Sequence, residues 1–500
     1  MGPFDFPVAV DDTRTRRRVI DLLKEKGIVL PTFAQLADPR GTPPAILEQL
    51  AGIGADQPHP ANLFRVNWFN GETRDQQQPV PAYIVLPEAL TGVSARIVVA
   101  LGAFFPMIGA HKVLAAYACL VPRLVAGRFD PQAQVAVWPS TGNYCRGGVA
   151  VSRILGCRGV AVLPEGMSQE RFAWLSRWVS GPADIVRTPG TESNVKEIYD
   201  ACDALARDPA NEIVNQFSEF GNYLGHYAAT GPALERVFES LLNGTPSGGL
   251  RPYAFVAASG SSGTLGAGDY LKDRLGTRIA VVEPVECPTL LLNGYGEHNI
   301  QGIGDKHVPL IHNVMNTDYV IAVSDQATDG LNALFNTPAG HAFLRARRHV
   351  TDDVAAALRH IGLSGIANIL AAIKLAKHAG LGPDDVVLTL ATDGADLYRS
   401  ELAQYLAAHA AEGFTELAAT AIFARHIEAA GTDWMLELNQ ADRSRIFNLG
   451  YYTWVEQRGI ALADFEKRRG QAFWRGLRDL LSLWDGMIDS INREAGILAR

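Results

Sequence analysis

The sequence predicts an α/β fold of two domains, each a mostly parallel sheet flanked by helices, followed by a C-terminal helical extension. Three observations carry this. Between residues 81 and 405, short β-branched runs alternate with amphipathic or small-residue helical stretches, which is the pattern of βαβ units with right-handed crossovers. The runs are too many for one sheet of ordinary size, and a Gly- and Pro-rich joint, "LLNGTPSGGLRP" (241–252), falls between two groups of them. Beyond 405 the runs give way to long helical periodicity.

The elements follow in order. Residues 1–80 form an N-terminal extension, mixed helical and irregular, with Pro-rich joints at "GTPPAI" and "DQPHPAN". Its one dense basic cluster, "TRTRRR" (13–18), suits a solvated helix face. The first α/β domain, 81–250, holds the expected strands "ARIVVAL", "AQVAVW", "GVAVLP", "ADIVRT" and "EIVNQF". The second, 251–405, holds "YAFVAAS", "RIAVVEP", "YVIAVS" and "DVVLTLA". The extension, 406–500, carries Trp434, Trp454, Trp474 and Trp484. An aromatic stripe at helical spacing serves core packing or a subunit interface, so these helices are candidate interface or lid elements.

Composition narrows the function. The 500 residues are 47% hydrophobic and 20% charged, with a formal net charge of −8. That suits a globular protein with room for two cores and weighs against nucleic-acid binding, which needs a basic face. The 5 cysteines lack any C-x-x-C pairing, which fits reduced thiols in a cytoplasmic protein and offers no metal cluster. The N-terminus lacks the order of a secretory signal, and Phe6 stands where myristoylation needs Ser or Thr. The most apolar stretch (95–124) is broken by Pro106, His111 and Lys112, so no membrane span is expected. His226 and His298 lack paired carboxylates at ligand spacing and are expected to be structural or pocket-lining. Glu165 and Glu170 are expected to be loop and first-turn charges, and Cys145 a packing residue.

Ligands of parallel sheets bind outside the carboxyl ends of the strands, and four loops there carry unusual chemistry. "VAVWPSTGNYCRGGVAV" stops a strand with Ser140-Thr141-Gly142-Asn143 and restarts with Gly147-Gly148 and a helix. "ASGSSGTLGAG" places Gly260-Ser261-Ser262-Gly263-Thr264 between a strand and a helix; converging amides and a helix N-terminus make an anion cradle there, although a tight turn without a ligand has the same look. It lacks the Lys of a nucleoside-triphosphate loop. "GAHKVLAAY" sets Lys112 in an apolar segment, where desolvation makes the amine nucleophilic unless the side chain snorkels out. "VVLTLATDG" ends a late strand at Thr392. Together they suggest an aldehyde for the lysine and a phosphate for the glycine loop.

In order along 82–400, "GAHK", the "STGNYCRGG" loop, "NQFSEFGNYLGHYAATGPAL", "GSSGTLGAGDYLK", "VVEPVE", "HNIQGIGDKHVP" and "GLSGIANILAAIKLA" resemble the fold type II pyridoxal-phosphate enzymes of the cysteine synthase and tryptophan synthase β superfamily. The resemblance is to a cysteine synthase with N- and C-terminal extensions. It implies pyridoxal 5'-phosphate joined to Lys112 and Asn143 on the ring hydroxyl. Gly260, Ser261, Ser262, Gly263 and Thr264 would cradle the phosphate, and Thr392 would face the pyridine nitrogen. Ser140, Thr141, Gly142 and Gln216 would hold the substrate carboxylate, with the bulky Tyr144 beside them where the family has a small hydroxyl residue. The implied activity is β-replacement through an aminoacrylate on a small amino acid with a β-leaving group, using a small nucleophile. A β-eliminating lyase, such as a desulfhydrase or a serine/threonine-type ammonia-lyase, shares every motif. A catalytically silent scaffold is the third possibility. The family implies a homodimer.

Overall fold

In the computed structural model, residues 2–245 and 249–498 are described; 246–248, within the expected joint, lie outside the described residues. Every β-branched run forms a strand. They are, in chain order, β1 (Tyr83–Leu86), β2 (Arg96–Leu101), β3 (Val135–Pro139), β4 (Arg158–Pro164), β5 (Ile185–Thr188), β6 (Asn211–Ile213), β7 (Arg251–Ala258), β8 (Arg278–Pro284), β9 (Tyr319–Val323), β10 (Asp385–Ala391) and β11 (Met435–Glu437). A larger sheet has the order β1-β2-β10-β7-β8-β9-β11 and a smaller one β5-β4-β3-β6. All pairings are parallel except β1 with β2 and β11 with β9, at the two edges of the larger sheet. Helices cover both faces, which is why β10 is apolar nearly throughout and buried along its whole length.

Two strands escape the sequence pattern. β1 and β11 are 4 and 3 residues long and stand outside the alternating runs, and "TDWMLELN" reads as helix until β9 offers it an edge. Nor do the sheets part at residue 250, because β1 and β2 belong to the larger sheet, with β2 parallel to β10. Alternation reveals that strands exist; which sheet receives each is settled by packing.

The two terminal extensions meet. The helix Thr13–Lys26 is capped by Asp12, whose Oδ1 accepts from Arg14 N at 2.8 Å, and packs beside the long helix Gln471–Ala495. Arg16 pairs with Glu494 at 2.7 Å. Leu30 and Asn492 exchange two hydrogen bonds, and Phe33 N donates to Asp485 Oδ1 at 2.6 Å. Trp454, Trp474 and Trp484 are buried, each indole N–H donating to a carbonyl, of Val308, Arg468 and Pro7 respectively. Those three tryptophans therefore fill the core of this chain, in one apolar cluster with the helix Lys112–Val125. Trp434 alone is 43% exposed.

Candidate active site

The site forms where four carboxyl strand ends converge. After β2 the chain bends through Met107 (φ 65°) and Gly109 (φ 60°). Ala110 then makes an antiparallel bridge to Asp393, and His111 N donates to Thr392 O at 3.1 Å. This staples the lysine segment to the end of β10. Lys112 opens its helix at that point, and its Nζ donates to Ser261 Oγ (2.9 Å) and Gln216 Oε1 (3.2 Å). Burial lowers the amine to about 8, partly opposed by the Asp305 carboxylate. Near that pH an appreciable share is the neutral nucleophile.

The Ser140–Asn143 loop turns through Gly142, at φ 142°, where a Cβ would lie 2.3 Å from Arg171 Cδ; only glycine fits. The helix Asn143–Leu155 then crosses the lysine helix at close range. A Cβ at Gly147 would come within 2.8 Å of Lys112 O, and one at Gly148 within 2.0 Å of the Trp138 ring. Gly147 thus lets the two helices meet at Lys112, while Gly148 seats the same helix on the Trp138 ring of β3. Among the described residues, the amides of Thr141, Asn143 and Tyr144 have no acceptor. They face outward from the helix start as free donors.

The Gly260–Thr264 turn lies across from them, between β7 and the helix Leu265–Leu275. Its backbone is pressed against its surroundings: a Cβ at Gly260 would be 2.3 Å from Gly302 O, and one at Gly263 2.1 Å from Asn222 Oδ1. Ser262 holds a left-handed φ of 64°, a strain of roughly 1–2 kcal/mol for a residue with a side chain, and Ser259 Oγ lies 2.8 Å from Ser262 Oγ. None of the five amides from Gly260 to Thr264 has an acceptor among the described residues. Consecutive unpaired donors ahead of a helix are an anion nest.

One cavity gathers Lys112, Ser140, Thr141, Asn143, Tyr144, Gln216, Gly260, Ser261 and Thr392. Gly142, Ser262, Gly263 and Thr264 are not among its lining residues, though each adjoins one in the chain or in its turn. Tyr144 is fully buried, edge-on to Trp138 at 5.4 Å, with its hydroxyl facing the buried Cys119 thiol. Cys145 is a packing residue, its Sγ donating to Gly142 O at 2.9 Å and its thiol pushed up to about 12 by burial. His298 is structural, its Nε2–H donating to Gly304 O at 2.9 Å. A larger cleft of about 540 Å³ lies beyond the 305–307 segment, lined by Tyr199, Lys306 and Arg458 among others.

Several functional neighbours were not singled out in the sequence. Asn143 does not stand free: its Nδ2 donates to Asp393 Oδ2 at 2.6 Å and its Oδ1 accepts from Arg146 Nη1 at 3.0 Å. Tyr398 also donates to Asp393, and Arg171 donates to Tyr398. This buried network joins the end of β10 to the helix Gln169–Trp178 and so ties the two sheets together. Glu170 adds an outer clasp, accepting from Ser400 N and Oγ. Asp305 and Gln301 also line the cavity; they sit inside "HNIQGIGDKHVP", whose match to the superfamily was the only available signal.

The residues present fit pyridoxal phosphate. An amine of lowered basicity, a nest of five unpaired amides for a dianionic phosphate, and a second set of free amides for a carboxylate share one cavity. The fold and this site define a fold type II pyridoxal-phosphate enzyme. The family of pyridoxal-phosphate dependent enzymes matches residues 86–393, and the chain belongs to it. A probable cysteine synthase of Bacillus subtilis is 30% identical over 299 residues, covering 59% of this chain and 86% of that one. Two solved structures share the fold: a hydrogen sulfide-producing enzyme from Fusobacterium nucleatum (TM-score 0.53, 20% identity, 67% of this chain and 98% of that one) and an O-acetylserine dependent cystathionine beta-synthase from Helicobacter pylori (0.52, 23%, 65% and 96%). Residues 1–85 and 394–500 lie outside the family match. No described helix is long and apolar enough to cross a membrane.

Proposed function

We propose that this enzyme of the cysteine-synthase type carries out β-replacement on a small amino acid bearing a β-leaving group, with a small nucleophile as second substrate. The observation that supports the reading is the span from Lys112 Nζ to Ser261 Oγ, 2.9 Å, which puts the amine against the glycine turn in a cavity that Ser140, Thr141 and Asn143 also line. Pyridoxal phosphate held there supplies an electron sink that acidifies the Cα–H of an amino acid. The chain's own residues do the rest. Lys112 anchors the aldehyde carbon and, once released, takes the proton from Cα. The five amides from Gly260 to Thr264 hold the phosphate. The amides of Thr141, Asn143 and Tyr144, with Gln216, bind the carboxylate and fix which Cα bond faces the base. Thr392, a neutral hydroxyl residue lining the cavity, would meet the pyridine-nitrogen side of the cofactor, which would then supply a weaker electron sink than it would beside a carboxylate.

The relative in Bacillus subtilis supports this reaction class, and the five unpaired cysteines support a reducing, cytoplasmic setting. The homodimer rests on the family resemblance. Holoprotein given O-acetylserine and sulfide should form cysteine. Pyruvate alone would replace this reading by β-elimination, and neither product would overturn both.

A further inference from the structure

Asp305 is a buried carboxyl that the scheme above leaves without work. It follows Gly302 (φ 106°) and Gly304 (φ 77°) in a loop fixed at several points. Gly304 N donates to Ser259 O at 2.8 Å, His298 Nε2–H to Gly304 O, and Thr289 Oγ1 to Asp305 O at 3.0 Å. A Cβ at Gly304 would lie 2.5 Å from His298 and Pro284, so the backbone just before Asp305 is packed tightly. Asp305 lines the cavity, is 5% exposed, and its Oδ2 has no hydrogen-bond partner among the described residues. It is the only carboxylate among the cavity-lining residues, as Lys112 is the only amine. A half-used acid in the wall of a catalytic cavity calls for a partner on the substrate.

We propose that Asp305 is a catalytic acid and base for the heteroatom at the substrate's β-carbon, so that the first substrate includes a free alcohol or thiol amino acid, L-serine or L-cysteine, and not only an acyl ester. The proposal rests on the β-replacement reading and names its substrate class. The protons balance as follows. Lys112 takes the Cα proton, the Cβ–X bond breaks with its electron pair going to X, and the Asp305 carboxyl gives X its proton, releasing water or hydrogen sulfide. In the second half an incoming thiol gives its proton to the Asp305 carboxylate as its sulfur bonds to Cβ, and Lys112 returns the proton to Cα. No electrons are gained or lost overall. A departing acetate leaves as the stable anion and needs no such donor, so the acid matters for one class of leaving group only.

The environment suits both duties. Burial raises the Asp305 carboxyl to about 7 while the nearby Lys112 cation pulls it down, so acid and conjugate base coexist near neutrality. The other titratable groups that share its field are Glu192, Tyr199 and Cys287. All three are driven toward their neutral forms by burial, which leaves Lys112 as the charge Asp305 chiefly answers to. Glu192 also has an unpartnered oxygen but does not line the cavity.

The test uses holoenzyme, wild type with D305N and D305A, and compares kcat/KM on L-serine, L-cysteine and O-acetyl-L-serine with a common thiol. We expect kcat/KM for serine and cysteine, which reads the first half alone, to fall about 10²-fold or more in both variants and kcat/KM for the acetyl ester to fall less than about 3-fold, while the second-half rate with the thiol falls whichever substrate came first. Two further readouts apply. Burial also raises Asp329 to about 7 and Glu192 and Glu283 to about 8, so the infrared difference spectrum between pH 6 and 8 should lose one protonated-carboxyl band in D305N and keep the others. Thermal melts should show that both variants fold. Equal losses on all three substrates, no loss on serine and cysteine, or a wild type active on the ester but inert to both free amino acids would overturn the proposal. A wild type inert to all three would instead overturn the β-replacement reading on which it rests.

Discussion

Gly147→Ala is the most informative single substitution, because it moves the lysine without touching the cavity. The added Cβ would stand 2.8 Å from Lys112 O and 2.9 Å from Val113 Cα. Carbon contacts prefer about 3.5–4.0 Å, so the two helices must separate by something near 0.5–1 Å. Overpacking of this kind costs about 1–3 kcal/mol, while replacing a helical glycine by alanine returns about 1 kcal/mol. The net expectation is a loss of about 0–2 kcal/mol. A shift of that size at a reacting amine lowers turnover by as much as about 10²-fold. Gly486→Ala is the control: it is exposed in the helix Gln471–Ala495, a Cβ there meets nothing within 4 Å, and it should gain about 0.5–1 kcal/mol with turnover unchanged. Denaturant melts and steady-state kinetics of both variants check this. A Gly147→Ala enzyme as active as wild type would refute the argument that Gly147 sets the lysine's position.

Two other expectations concern the extensions. Glu494 is held at about 2 by its bonds to Arg16 and Ser490. A carboxyl depressed in the folded state adds stability above its unfolded value near 4.5 and loses it as pH falls toward 2. With Glu494 43% exposed, screening limits the effect to about 0.2–1 kcal/mol. Melts of wild type and Glu494→Gln should therefore differ at pH 6 and converge near pH 2; a constant gap would contradict the assignment. Trp484→Ala removes a side chain 2% exposed that also bonds Pro7 O and should cost about 3–5 kcal/mol. A loss below about 1 kcal/mol would mean that the helix does not belong to the core.

The strands and the site were legible in the sequence for different reasons. "RIVVAL" and "DVVLTLA" announce themselves because a strand covered on both faces must be apolar nearly throughout. β1 and β11 do not: "TDWMLELN" continues a helical pattern, and both strands are added to the larger sheet by antiparallel pairings that the βαβ alternation does not show. The glycines of "GSSGT" and "STGN" were readable because backbone that must approach other backbone excludes side chains. Asp393, Arg146, Arg171 and Tyr398 were not, because a buried network is made of residues far apart in the chain, as in the Asn143–Asp393 bond, and only the fold shows that they meet. The tryptophans beyond 405 were recognisable as buried apolar surface, but nothing in their spacing told whether the surface they cover is this chain's own.

The central claim is that Lys112 carries the aldehyde of pyridoxal phosphate. Borohydride reduction of the holoprotein, followed by peptide mass analysis, tests it directly. The account predicts one reduced phosphopyridoxyl adduct, on the peptide containing Lys112, and none in K112A. An adduct confined to other lysines, with Lys112 recovered unmodified from protein saturated with the cofactor, would contradict it.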